Sequence, residues 1–210
     1  IPLRLVGSEM CIRDRYKIMD RHGVDVVSAD LVFFNANRLG AAGIIFKRML
    51  DAIPLEGEGA IQIVPMLELQ DISAAIAGTG YFLDRFGEDP RWLKVNGRPF
   101  ILTYHNRAHM DMSPQKWQSM VKGVQAFGFD PFWVYNFAGI QVALKGTVDL
   151  EEAAGIIPHT DGVFHFGGSS LKKSGLYSSY VREHFEAQYP NLVLGGSVHP
   201  GYYSNRTYNR

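Results

Sequence analysis

Cysteine is nearly absent from this sequence: Cys11 is the single thiol in 210 residues. One thiol closes no intramolecular disulfide and builds no cysteine-rich metal site. There is no excess of either charge, with 21 basic against 21 acidic residues. A polyanion binder normally shows a basic face, so nucleic acid is not an expected partner. Pairs such as Lys172-Lys173 read instead as solvated helix surface. No apolar run reaches the ~20 residues of a membrane-spanning helix, so no membrane partner is expected. A glycine fingerprint of the G-x-G-x-x-G or P-loop type is also missing. That removes the usual sign of a nucleotide phosphate site, and no cofactor is expected.

What remains is 46% hydrophobic and 12% aromatic, enough for one domain with a substantial core. Trp and Tyr either fill such a core or stack on ligands such as sugar rings. The run Leu5 to Arg15, Leu-Val-Gly-Ser-Glu-Met-Cys-Ile-Arg-Asp-Arg, resembles the translation of a common transposon-based sequencing adapter. Residues 1–15 are therefore set aside from the fold, Cys11 with them, and residues 16–210 are read as the domain.

The chain is organised around Asp89 to His105. Asn96-Gly97 is a turn signal, because both residues tolerate positive φ. Pro99 can open a strand, and Phe100 to Thr103 reads as a strand buried on both faces. Before it, Lys17 to His22 reads as a helix end stopped by Gly23, and Val24 to Ala29 as a strand ending at Asp30. Ala41 to Ile53 has helical spacing, with Ile44, Ile45, Met49 and Ile53 as its apolar positions. Ile61 to Leu67 is a strand ending at Glu68, in which Pro65 suggests a bulge. Asp71 can cap a helix to about Phe86, in which Gly78 and Gly80 are weak points.

Beyond the centre, Ser113-Pro114 opens a helix that carries Trp117, Met120, Val121 and Val124 inward and stops at Gly128. Phe132 to Tyr135 is a strand ending at Asn136-Phe137, and Asp149 caps a short helix from Leu150 to Ala154. Gly162 to Phe166, Leu171 to Tyr189 and Leu192 to Val198 read as strand, long helix and strand. About six strand–helix units in series imply parallel strands, because parallel neighbours need a crossover helix. The expected class is α/β, an incomplete (β/α)8 barrel rather than a doubly wound sheet.

Three stretches then carry a resemblance. Asp89-Pro90-x-x-Leu93-Lys94-Val95-Asn96-Gly97-Arg98-Pro99-Phe100-Ile101-Leu102-Thr103-Tyr104 resembles the segment leading into the fourth strand of glycoside hydrolase families 71 and 99. His22 to Asp30 resembles their second strand, and Ser197-Val198-His199-Pro200-Gly201-Tyr202 the turn after their seventh. The resemblance implies hydrolysis of α-linked glycans or glucans, an oligo- or polysaccharide partner, and a secreted or periplasmic location. It also implies catalytic carboxylates on a Trp-Asn-Asp-x-x-Glu or Asn-Glu-Trp-x-Glu stretch after the last strand, and neither pattern occurs here. On this reading the chain is a fragment, strands two to seven of eight, inactive alone, with unpaired strand edges that favour association.

Glycoside hydrolysis generally needs two carboxyl groups. The strand-end acids Asp30 and Glu68 are the weak candidates for that role and the better candidates for binding sugar hydroxyls. Tyr104, His105, Asn136, His165, His199 and Tyr202 would share a barrel rim with them. Amides, imidazoles and phenols suit hydroxyls, which both donate and accept. His165 alternates with Phe164 and Phe166, so the imidazole would face the interior and the phenylalanines the helices. Two alternatives stay open: a sugar-binding barrel without catalysis, and a metal-dependent hydrolase using His105, His165 and His199, which lack any short ligand spacing. His105 and His109 would pair on a helix only, and Asn205-Arg206-Thr207 is a glycosylation triplet that also arises by chance.

Overall fold

The computed structural model describes residues 3–32, 39–54, 61–69, 71–105, 112–136, 154–164, 179 and 181–195. Helices α1 (Leu3–Arg21), α2 (Leu39–Ala52), α3 (Ile72–Phe86) and α4 (Pro114–Ala126) alternate with strands β1 (Val26–Val32), β2 (Gln62–Leu69) and β4 (Arg98–His105). A two-residue strand β3 (Lys94–Val95) precedes β4, and β5 (Phe132–Asn136), β6 (Gly162–Phe164) and β7 (Val193–Gly195) follow. The class is the expected one: α/β, with six parallel strands in series, an incomplete (β/α)8 type. The chain divides into two units, Ile1–Trp133 and Val134–Arg210, the division falling within β5.

In the first unit, β1, β2 and β4 lie side by side and parallel. Register pairs Asp30 with Met66, Val32 with Glu68, and Glu68 with Tyr104. Side chains alternate along a strand, so the sheet has two distinct faces. One carries Ala29, Leu31, Ile63, Leu67, Ile101 and Thr103, each at most 3% exposed. Helices α2 and α3 pack on this sheet. β4 is thus dry on one face and only half-buried at Phe100, Leu102 and Tyr104 on the other, not buried on both.

Under the helices sits an aromatic cluster. Phe46 on α2 meets Phe82, Phe86 and Trp92 edge-on at centroid distances of 5.4, 5.5 and 5.4 Å. Trp92 is fully buried, and its indole N–H donates to the Phe100 carbonyl at 2.8 Å. Helical spacing singles out Ile44 and Ile45, but these are 57% and 55% exposed. Phe46 and Leu50, four residues apart, face inward instead, because the aromatic cluster offers them more contact than solvent-side packing could. Farther along, Trp117 on α4 packs edge-on against Trp133 at 5.5 Å.

Local signals place the turns. Asn96 and Gly97 both have positive φ, 53° and 78°, and close the β3–β4 hairpin. Asp71 caps α3 by accepting from Ala74 N at 2.9 Å, and Ser113 caps α4, with Pro114 in its first turn. Pro65 makes no bulge: β2 is unbroken through its pairing with Ala29. On its other side Ile63 bridges to Trp92, and the ladder with β4 begins at Met66. Pro65 sits in the gap between them, where a missing N–H deprives no neighbour.

Arg91 ties the connection before β3 to the end of α2. Its guanidinium donates to both Asp89 oxygens at 2.8 and 2.7 Å and to the Leu50 carbonyl at 2.9 Å. The hydrogen bond from Arg91 holds the Asp89 carboxyl below its usual range. At the start of the unit, α1 runs continuously across Arg15, and Tyr16 is its first buried side chain among those described. Burial pushes the Tyr16 phenol up to about 12. Cys11, Arg13, Asp14 and Arg15 are exposed.

In the second unit, β5, β6 and β7 are parallel, with Val134 opposite Gly162 and Gly162 opposite Val193. A Cβ on Gly162 would come within 2.9 Å of the Val193 carbonyl oxygen, so only glycine fits between these strands. The helical residues 154–156 continue into a 3-10 turn, Ile157–His159. The acidic cap at Asp149 and most of the helix expected from Leu171 lie outside the described residues; its end is a π-helical turn, Arg182–Glu186, that buries Phe185. Among the described residues β1 pairs with β2 alone and β7 with β6 alone.

Three outcomes are expected. Phe46→Ala should cost about 3–5 kcal/mol in urea unfolding, the range for a buried aromatic truncated in a packed core. Asp89→Asn should destabilise at about pH 7, by an amount that shrinks as the pH falls below the ordinary aspartate range. A carboxyl held low by folding stabilises above its unfolded pKa, and that contribution is lost as pH falls through the folded value. Deleting residues 1–15 should leave the melting temperature nearly unchanged, since of the described side chains before Tyr16 only Ile12 is even half-buried.

Candidate functional site

Of the side chains singled out from sequence, the first unit brings three onto one face. Asp30, Glu68 and Tyr104 all lie opposite the helix-packed side, near the carboxyl ends of β1, β2 and β4. Glu68 and Tyr104 are register partners, so their Cα atoms are about 4.8 Å apart across the strands. Asp30 is one strand over and two residues back from Glu68, about 8 Å away at the backbone. Ser28 precedes Asp30 on the same face and is also exposed. Below these groups the face is apolar, with Val64 and Met66 on β2 and Phe100 stacked on Phe132 at 5.4 Å.

Electrostatics separate the two acids. Asp30 is exposed as a residue, yet the protein around its carboxyl removes part of its hydration and raises its pKa above the ordinary carboxylate value. The direction follows from desolvation alone. Glu68 is half-buried and engaged in a further interaction. A carboxylate row beside a phenol can accept from several hydroxyls and donate one hydrogen bond back, a pattern suited to a polyol.

The remaining candidates are placed differently. His105 closes β4 opposite Leu69, and its imidazole lies outside the described residues. Asn136, fully buried, belongs to the second unit, where it is the register partner of Phe164. Asn136 and Phe164 therefore share a face, which corrects the expectation that Phe164 turns toward the helices while the amide turns away. The strands' alternation about Gly162 sets this parity, and a reading of β6 by itself has no reference for it. His165, His199 and Tyr202 lie outside the described residues, as do His109 and the triplet at Asn205. Among the described residues no group of three or more His, Cys, Asp or Glu is placed to hold a metal ion. No described helix is long and apolar enough to cross a membrane. Ser28, beside Asp30 on the polar face, is a group that sequence reading passed over. Its even spacing from Asp30 on a strand was the available signal.

The alternation of parallel strands and helices matches known structures. A glycoside hydrolase family 99 endo-α-mannosidase from Bacteroides thetaiotaomicron, solved with bis-tris-propane, superposes over 95% of this chain with a TM-score of 0.68 and 15% identity. The chain shares the fold of this family 99 enzyme. A second solved structure, described as a glycoside hydrolase-like protein, covers 90% of the chain with a TM-score of 0.58 and 12% identity. The chain spans 59% and 62% of the lengths of these two proteins. No family model and no curated protein sequence matches it.

The raised pKa of Asp30 has a measurable consequence. In a carboxyl-detected NMR titration Asp30 should titrate above the ordinary aspartate range, and Asp30→Asn should stabilise the fold at neutral pH. The sign follows because a carboxyl raised by folding opposes folding once it ionises. An ordinary midpoint for Asp30 would contradict the desolvation described here.

Proposed function

We propose that this chain is part of a carbohydrate-active hydrolase that acts on α-linked glycans or glucans, with Asp30, Glu68 and Tyr104 as sugar-hydroxyl ligands. The observation that supports this most is the polar face at the strand ends of β1, β2 and β4, set on a fold shared with an endo-α-mannosidase. Active sites of such barrels are built at the carboxyl ends of the strands. Hydrolysis of a glycosidic bond needs one carboxyl to protonate the leaving oxygen and a second to attack or to activate water. In our reading those two groups come from a Trp-Asn-Asp/Glu segment that residues 1–210 do not contain. Asp30 and Glu68 then orient the sugar, and the source is an exported protein.

A second reading, a sugar-binding barrel without catalysis, draws its support from the same missing motif. One comparison separates them: reducing-sugar release from α-mannan and α-1,3-glucan by the 210 residues and by the longer reading frame that contains them. Turnover by the longer protein alone is expected. Turnover by the 210 residues would show that the catalytic pair is within them, and binding without turnover by the longer protein would favour the second reading. In the longer protein, Glu68→Gln should raise KM about tenfold and change kcat less; a loss of about 1,000-fold in kcat would make Glu68 part of the catalytic pair.

A further inference from the structure

On the helical side of the first unit, away from the acids, α2 and α3 part to leave a cleft of about 460 Å³. One wall is α2, where Gly43 and Lys47 form one i, i+4 row and Ile44 and Arg48 the next. The other wall is the i, i+4 pair Tyr81 and Arg85 of α3, and Phe86 closes the end. Along both helices the order is the same: apolar groups first, cations one turn later. Three cations therefore gather at one end of the cleft, Lys47 ion-paired with Asp51 and the two arginines beside it, and no described carboxylate lines the cleft. Asp51 is committed to Lys47 at 2.5 and 2.6 Å, and Asp84, the residue before Arg85, is exposed outside the lining.

We propose that this cleft binds a small organic anion with an apolar body, such as an aryl carboxylate, phosphate or sulfonate. Its charged head lies between Arg48 and Arg85, and its body lies on Ile44 and Phe86. Two observations narrow the class. Arg85 covers one face of the Tyr81 ring at 4.6 Å from its centroid, which withdraws that face from stacking a neutral sugar. The volume is that of a small-molecule site. Gly43 makes the cleft possible: a Cβ there would lie 2.6 Å from the Tyr81 hydroxyl, so a side chain would push the ring aside. The exposed Ile44, 57% accessible, then has a partner in the bound state rather than serving as stray apolar surface.

The test is calorimetric titration of the 210-residue chain with 2-naphthalenesulfonate, sulfate and 2-naphthalenemethanol. One saturable site is expected for the sulfonate, with sulfate and the neutral alcohol each much weaker. Arg48→Gln/Arg85→Gln should weaken it at least about tenfold, since each lost charged hydrogen bond is worth roughly that, and molar salt should do the same. Ile44→Ser, an exposed change that leaves the fold intact, should also weaken it. Equal binding by the arginine variant, equal binding of the neutral alcohol, or no saturable binding of the sulfonate would each overturn the proposal.

Discussion

The first unit rests on one dry face shared by three parallel strands. Ala29, Leu31, Ile63, Leu67 and Ile101 are all but excluded from water, and they can be so only in one register. Because side chains alternate with a period of two, slipping any strand by one residue would send Asp30, Glu68 and Tyr104 under the helices and bring the apolar set into water. The register that buries the core is therefore the register that aligns the polar row. Fold and candidate site are two faces of a single constraint.

That constraint is reinforced where the chain enters β4. The Asn96-Gly97 hairpin, the buried Trp92 with its bond to Phe100, and the Arg91 grip on Asp89 all act within a dozen residues, and Arg91 also reaches back to Leu50 on α2. Together they fix where β4 begins and how it meets β2. Phe46 completes the arrangement from the helix side, joining Phe82, Phe86 and Trp92. The stretch that stood out in the sequence is thus the one in which local turn chemistry and long-range packing agree.

Much of this was legible before any coordinates. Caps at Asp71 and Ser113 and the inward row of α4 follow from local chemistry, which acts over a few residues; β1 and β2, by contrast, run on to Val32 and Leu69, past the acids at which the sequence ends them. The errors share a different cause. Spacing picks out Ile44 and Ile45 along with Ile53 because it counts apolar residues and not partners; the inward face of α2 is set by aromatic groups on α3 and before β3. Pro65 suggested a bulge because its cost depends on which neighbour its nitrogen faces, and that is fixed only once β4 is paired. Asn136 and Phe164 were put on opposite faces for the same reason, since parity in a three-residue strand is defined by the strands beside it.

The most direct test of the shared constraint is proximity across β2 and β4. In a Cys11→Ser background, Glu68→Cys paired with Tyr104→Cys should cross-link readily under mild oxidation, because the two positions are register partners on one face. Glu68→Cys paired with Thr103→Cys should not, because Thr103 lies on the helix-packed side. Faster cross-linking of the Thr103 pair would place Glu68 on the buried face and contradict the account.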